Sequence, residues 1–415
     1  MKRPEALTLA ILLLIGGASW PASRANASPP GPPLEAADAA DPTAPLDQAP
    51  SRALRPDPPD ADPTLARRAL NASVALVPGL AIHGAGHMAA GDVDTGLSLL
   101  MVEGLGVLLT IGGIGGLAAT GASPRLSTPF ITSTISGVGL FGLSALADLY
   151  GVLAPAGGFG LPDIDPPPLR LQAGYRHVLD PIFDYRNFAH ARADARLDRL
   201  RLSPEAWFAL DDANWRLILM AAWRFAGPTS PGVARDSVAK DGVAQIDGVA
   251  QINGVDDLGD GSALDLEFGL VHHRYDTEGF SITTGEVAVQ GRLDLARLAP
   301  TLRGAFAEMG FGVAMGANSY DGLTTEGTDL LLGRFAFGLY LGHEGQGELS
   351  IYYDHRHDGF AAGLKVKGLG SGAPGHFGAR LSTRLFGPWG VELSAEAGSA
   401  LVTGASITRD LGGER

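Results

Sequence analysis

Residues 214–225 read NWRLILMAAWRF. Taken with a period of two, Trp215, Leu217, Leu219, Ala221, Trp223 and Phe225 form one row, and Arg216, Ile218, Met220, Ala222 and Arg224 the other. Side chains of a strand alternate between its faces, so the segment has an apolar face bearing two indoles and a second face with an arginine at each end. That pattern suits a strand crossing a bilayer, with lipid on one side, a polar interior on the other and aromatic rings at the interfaces.

The same alternation recurs on either side. In residues 188–198, Ala189, Ala191, Ala193, Ala195 and Leu197 oppose His190, Arg192, Asp194, Arg196 and Asp198. Leu264, Leu266, Phe268 and Leu270 oppose Asp265 and Glu267, while Ala305, Ala307, Met309, Phe311 and Val313 oppose Glu308. Further along, Phe335, Phe337, Leu339 and Leu341 oppose Arg334; Phe377, Ala379, Leu381 and Leu385 oppose Arg380 and Arg384; Trp389, Val391, Leu393 and Ala395 oppose Glu392 and Glu396. Each run is roughly 9–12 residues, the length of a tilted membrane-crossing strand. Short reversals at 276–279, 342–345, 358–359 and 387–388 suit antiparallel neighbours. The expectation is a mainly β protein, an antiparallel transmembrane barrel of about 12 strands over residues 169–415.

Composition narrows the alternatives. Forty-five acids against 31 bases give a net charge of −14, which argues against a nucleic-acid partner. No cysteine is present, excluding disulfides, thiolate metal sites and a cysteine nucleophile. Fifty-eight glycines with 18% charged residues suit strands that bend and turn tightly.

Residues 1–27 read as a secretory signal: Lys2 and Arg3, an apolar run from Leu7 to Ile15, then Ala25, Asn26 and Ala27. Residues 28–64 hold 11 of the 28 prolines and read as an extended, disordered tether. Residues 65–161 are apolar and rich in glycine, with helical runs expected at 74–90, 95–121 and 130–153. Glu103 and the glycines and threonines dilute these runs, so a compact helical hairpin packed against the later domain, or plugging it, is expected rather than an inner-membrane anchor. Residues 162–168 (PDIDPPP) form a stiff break. A loop at 227–262 carries a six-residue repeat beginning at Asp241 and Asp247, an expansion suited to a tolerant surface loop.

The mixed-charge row of residues 190–198 would be ruinous facing lipid, at about 2–4 kcal/mol per cation at mid-depth. It is expected to face the lumen. The charge network there would comprise His190, Arg192, Asp194, Arg196, Asp198, Arg216, Asp265, Glu308, Arg334 and Arg380. His83 and His87, four apart, could share a helix face and grip a metal ion with Asp92, Glu103 or Asp148, or simply bond to neighbouring helices. The 354–358 cluster (DHRHD) and the His272–His273 pair read as rim groups needing no catalytic role; a barrel hydrolase would have to pair Ser350 with His355, or Ser382 with a distant histidine, and no nucleophile elbow is present.

Alternation, aromatic strand ends and the leader together make residues 169–415 resemble the bacterial outer-membrane β-barrel class, although the usual terminal aromatic is absent from the last residues, LGGER. The resemblance implies residence in the bacterial outer membrane, with the lipid bilayer and the outer-membrane assembly machinery as partners. A channel or structural role with a largely occluded lumen follows, without catalysis and with no cofactor. The alternatives are a barrel-embedded hydrolase and a soluble periplasmic β-protein anchored by the hairpin.

Overall fold

A computed structural model describes residues 65–412 apart from 80, 124–125, 156, 181–185, 230–260, 277–278, 321–322, 343–344 and 356–374. The leader, the tether, the hexapeptide repeat and the 358–359 reversal lie outside the described residues.

Twelve strands form one closed antiparallel sheet: β1 Leu169–Leu179, β2 Asn187–Leu197, β3 Leu200–Ala209, β4 Trp215–Ala226, β5 Ala263–Tyr275, β6 Phe280–Asp294, β7 Ala305–Tyr320, β8 Leu323–Leu341, β9 Gly347–Asp354, β10 His376–Phe386, β11 Trp389–Ala397 and β12 Leu401–Leu411. Each strand pairs with its sequence neighbours, and β1 closes on β12 with Leu169 opposite Leu411. Full closure leaves no edge with unpaired backbone groups, which is what a sheet in hydrocarbon requires.

The alternation resolves into two faces. On β4, Leu217, Leu219, Trp223 and Phe225 are all exposed by 44–49%, whereas Arg216 and Ala222 of the alternate row are buried. Val313, Met315, Phe377, Leu393 and Ile407 project outward in the same way. An apolar belt outside and a polar interior is the inverse of a soluble barrel.

Among the described residues four helices precede the sheet: α1 Leu65–Leu76, α2 Ala85–Ala90, α3 Val93–Ala119 and α4 Ser127–Leu153. The first apolar run is therefore not one helix over 74–90. Pro78 lacks an N–H and Gly84 takes φ +89, so the chain turns between α1 and α2. Helices α3 and α4 are each long and apolar enough to cross a membrane. They pack backbone to backbone: a Cβ on Gly106 would stand 2.8 Å from the Gly137 carbonyl oxygen, and Ser133 Oγ donates to Leu109 O at 2.9 Å.

The hairpin does not plug the barrel. Helix α4 lies on the outer face of β7 and β8, where Gly139 leaves room for the Phe335 ring and Tyr150 meets Phe337 edge-on at 6.1 Å. Phe335 and Phe337 alternate along β8 with Arg334 and Ala336, so the covered face is the one that elsewhere meets lipid. Leu99, Ala147, Tyr150, Leu302, Ala305 and Phe337 form the buried seam, and Tyr150 Oη donates to Arg303 O at 2.6 Å.

Candidate functional site

The lumen gathers most of the charged residues singled out above. Arg292 of β6 bonds Glu308 of β7 at 2.8 Å and Glu348 of β9 through two contacts of 2.7 and 2.8 Å. Arg334 approaches Glu308 from the other side at 3.7 Å and lies over the Tyr352 ring. Arg380 and Arg176 share Glu392, at 3.9 and 3.8 Å. Arg224 forks onto Asp265 through 2.8 and 2.9 Å bonds, and Arg201 reaches Glu267 at 3.0 Å. Arg192 holds Asp194 at 2.8 Å, which also accepts from Ser203. Arg216 stacks on Trp207 with its guanidinium carbon 5.1 Å from the ring centre.

One member does not belong. Asp198 ends outside β2, exposed on the turn to β3 with φ +54, because Leu197 closes the strand and the tight reversal needs a residue that tolerates the left-handed region. Period-two reading missed Glu205, Arg292 and Glu348. These residues lie on β3, β6 and β9, which are not among the alternating segments quoted from the sequence.

His190 is held from both sides. Its Nε2 faces Glu205 Oε1 at 3.0 Å and its Nδ1 faces Ser406 Oγ at 3.4 Å. Glu205 also accepts from Trp207 Nε1 at 2.5 Å. Serine, imidazole and carboxylate are thus in line across β12, β2 and β3. The pair Ser350 and His355 makes no such arrangement: His355 Nδ1 bonds the Tyr353 hydroxyl at 2.7 Å.

The lumen differs at its two ends. At the end remote from the sheet's termini, Val178, Phe188, Trp207, Tyr275, Ile282, Ala400 and Val402 pack into an apolar layer inside the barrel, with Phe188, Val178 and Tyr275 fully buried. At the termini end, Phe306 and Tyr340 face one another at 4.9 Å, and Arg292 lies 4.0 Å above the Phe306 ring. Gly338 makes this possible, since a Cβ there would collide with Phe306 Cζ.

His83 and His87 sit in the helical region, both buried. They do not share a helix face, because His83 precedes α2 and Gly84 separates the two. His83 Nδ1 meets Ser144 Oγ at 2.6 Å and its backbone N–H donates to Glu103 at 2.8 Å. His87 Nδ1 meets Asp148 Oδ1 at 2.7 Å, and the N–H groups of Gly86 and His87 donate to the same carboxylate. Burial holds the His83 imidazole below its ordinary pKa, against the pull of Glu103 and Asp148. Asp92 caps α3. Burial pushes its carboxyl up, but hydrogen bonds from Thr95 and Thr301 outweigh this and hold it below the usual range. Among the described residues no three His, Asp or Glu side chains are grouped to hold a metal ion.

No family model and no curated protein matches the sequence. Among solved structures, the KdgM porin in complex with disordered oligogalacturonate aligns at 9% identity over 58% of this chain and 99% of its own, with a TM-score of 0.34. The outer membrane protein Omp33 of Acinetobacter baumannii aligns at 8% identity over 59% and 98%, TM-score 0.30. The NanC porin aligns at 9% identity over 58% and 97%, TM-score 0.29. Scores this low carry no weight for ligand or mechanism; the class rests on the sheet itself. Closed on twelve strands, greasy outside and charged within, the chain has the architecture of a transmembrane β-barrel.

Proposed function

We propose that the protein is a non-enzymatic outer-membrane barrel whose lumen is largely occluded at rest, a channel held shut from within. The observation that carries this reading is the bracing of Arg292 on β6 by Glu308 on neighbouring β7 and by Glu348 three strands away on β9, beneath the apolar layer around Phe188 and Tyr275. Arginine bound by two carboxylates and stacked on an aromatic ring leaves few donors for a passing solute. In this reading the sheet's termini face the periplasm, where the leader and tether would deliver the chain, and the hairpin braces β7 and β8 from the lipid side.

Planar-bilayer recording tests it. Wild-type protein should show little steady current at neutral pH, and Trp207→Ala with Tyr275→Ala, which thins the apolar layer, should raise it. A stable ohmic conductance from the wild type would refute the occluded lumen.

A second reading, a barrel-embedded hydrolase, draws on the alignment of Ser406, His190 and Glu205. With Glu205 accepting from Nε2, Nδ1 is free to accept the serine proton, as a general base must. Turnover of a lipid ester that Ser406→Ala abolishes would favour it; inertness toward esters and toward a fluorophosphonate would dismiss it.

A further inference from the structure

At the termini end of the barrel, arginines crowd onto neighbouring strands. Arg196 of β2 stands directly opposite Arg201 of β3. Arg201 in turn pairs with Ala222 of β4, two residues from Arg224 on the same face. Arg170 of β1 stands opposite Asp194, two residues before Arg196. Like charges directly across a ladder repel, so the arrangement needs negative charge to hold it.

Three of these cations have it. Arg170 is bound by Asp410 at 2.6 and 3.1 Å, Arg201 by Glu267, and Arg224 by Asp265. The guanidinium of Arg196 has no hydrogen-bond or ion-pair partner among the described residues. Nor is it simply pointing into bulk water, for it is half-buried at the wall of a small recess that opens to solvent. Arg196, Arg199, Arg201 and Arg224 line that recess against two carboxylates, Asp198 and Asp265. Asp265 is already engaged by Arg224, and Asp198 is exposed on the turn.

We propose that this recess binds a small tetrahedral oxyanion, phosphate or a phosphate monoester, with Arg196 as its principal anchor. A guanidinium offers a planar fork of donors matched to such oxygens, and Arg201 and Arg224 supply positive potential from the flanks. The site sits at the mouth and does not depend on whether the lumen conducts. Phosphate could arrive free or as a lipid headgroup; the chemistry recognised is the same.

The test is calorimetric titration of the full chain, in maltoside micelles free of phospholipid, with inorganic phosphate. Saturable binding is expected. Arg196→Gln should weaken it about tenfold or more, the worth of one charge-assisted hydrogen bond. Arg196→Lys, which keeps the charge and loses the fork, should fall between. Arg409→Gln, on the outer face beside Trp389, should bind as the wild type does. Heat-modifiable gel mobility checks that each variant remains a closed barrel. Competition by added phosphatidic acid, whose headgroup is a phosphate monoester, would assign the headgroup as the source, and its absence the free anion. Lack of saturable phosphate binding by the wild type, or equal binding by Arg196→Gln, overturns the proposal.

Discussion

Glu308→Gln separates a braced lumen from an open one. The substitution keeps the side chain's shape and removes its charge. Arg292 would retain Glu348 through two bonds, but Arg334, 3.7 Å from Glu308, would face a neutral amide. Breaking a buried pair by removing one partner costs about 3–5 kcal/mol. Here the arginine side chains are still 24–25% exposed and Arg292 keeps a second carboxylate, which brings the expected loss to about 2–3 kcal/mol. In a wide, water-filled pore the same pair would be worth about 0–1 kcal/mol. Urea unfolding in detergent, followed by the heat-modifiable gel band and by tryptophan emission, reads the difference. A double-mutant cycle with Arg334→Met removes the contribution from stranding the arginine. A loss below about 1 kcal/mol would mean that water already screens these charges, and the occlusion argument would fail.

Other outcomes follow from the hairpin and the belt. Gly139→Leu drives a side chain into the Phe335 ring and should destabilise docking by about 1–3 kcal/mol. Because the chain has no cysteine, a disulfide engineered between Ile135→Cys and Gly333→Cys reports that docking directly: it should form readily in an otherwise unaltered chain and poorly beside Gly139→Leu. Leu219→Arg, midway along the outer row of β4, should cost about 2–4 kcal/mol in a bilayer, and near nothing if that face met water. His83 binds its proton more weakly folded than unfolded, so the unfolded state takes up more protons in mild acid. Its contribution to stability should be complete above its ordinary value of 6.5 and decline as pH falls through that value; His83→Gln should flatten the slope.

The strands were legible because a sheet with lipid on one side and charge on the other writes its period into every segment, as in β2 and β4. Lumen partners were less so. Arg292 reaches Glu348 across a register that only closure of the barrel creates, and no local spacing records it. Asp198 followed the alternation one residue past the strand because a turn residue in the left-handed region can share its neighbours' polarity. The position of the hairpin was hidden for a related reason. Phe335 and Phe337 look the same whether acyl chains or a helix covers them, and Gly139, the mark of close approach, is one glycine among many in α4. The histidines misled through Gly84, which turns an i, i+4 pair into two side chains with separate partners.

The hairpin's dock also sets an order of events. Tyr150 bonds the carbonyl of a residue made 153 positions later, and the seam it joins exists only once β7 and β8 stand side by side. At roughly 5–20 residues per second, synthesis alone separates the two by many seconds, and the sheet must still be built. Until then α3 and α4 have only each other, clasped through Gly106 and Gly137 with their remaining flanks uncovered. Whatever escorts this chain to its membrane must therefore tolerate, or cover, a helical pair that reaches its seat last although it is made first.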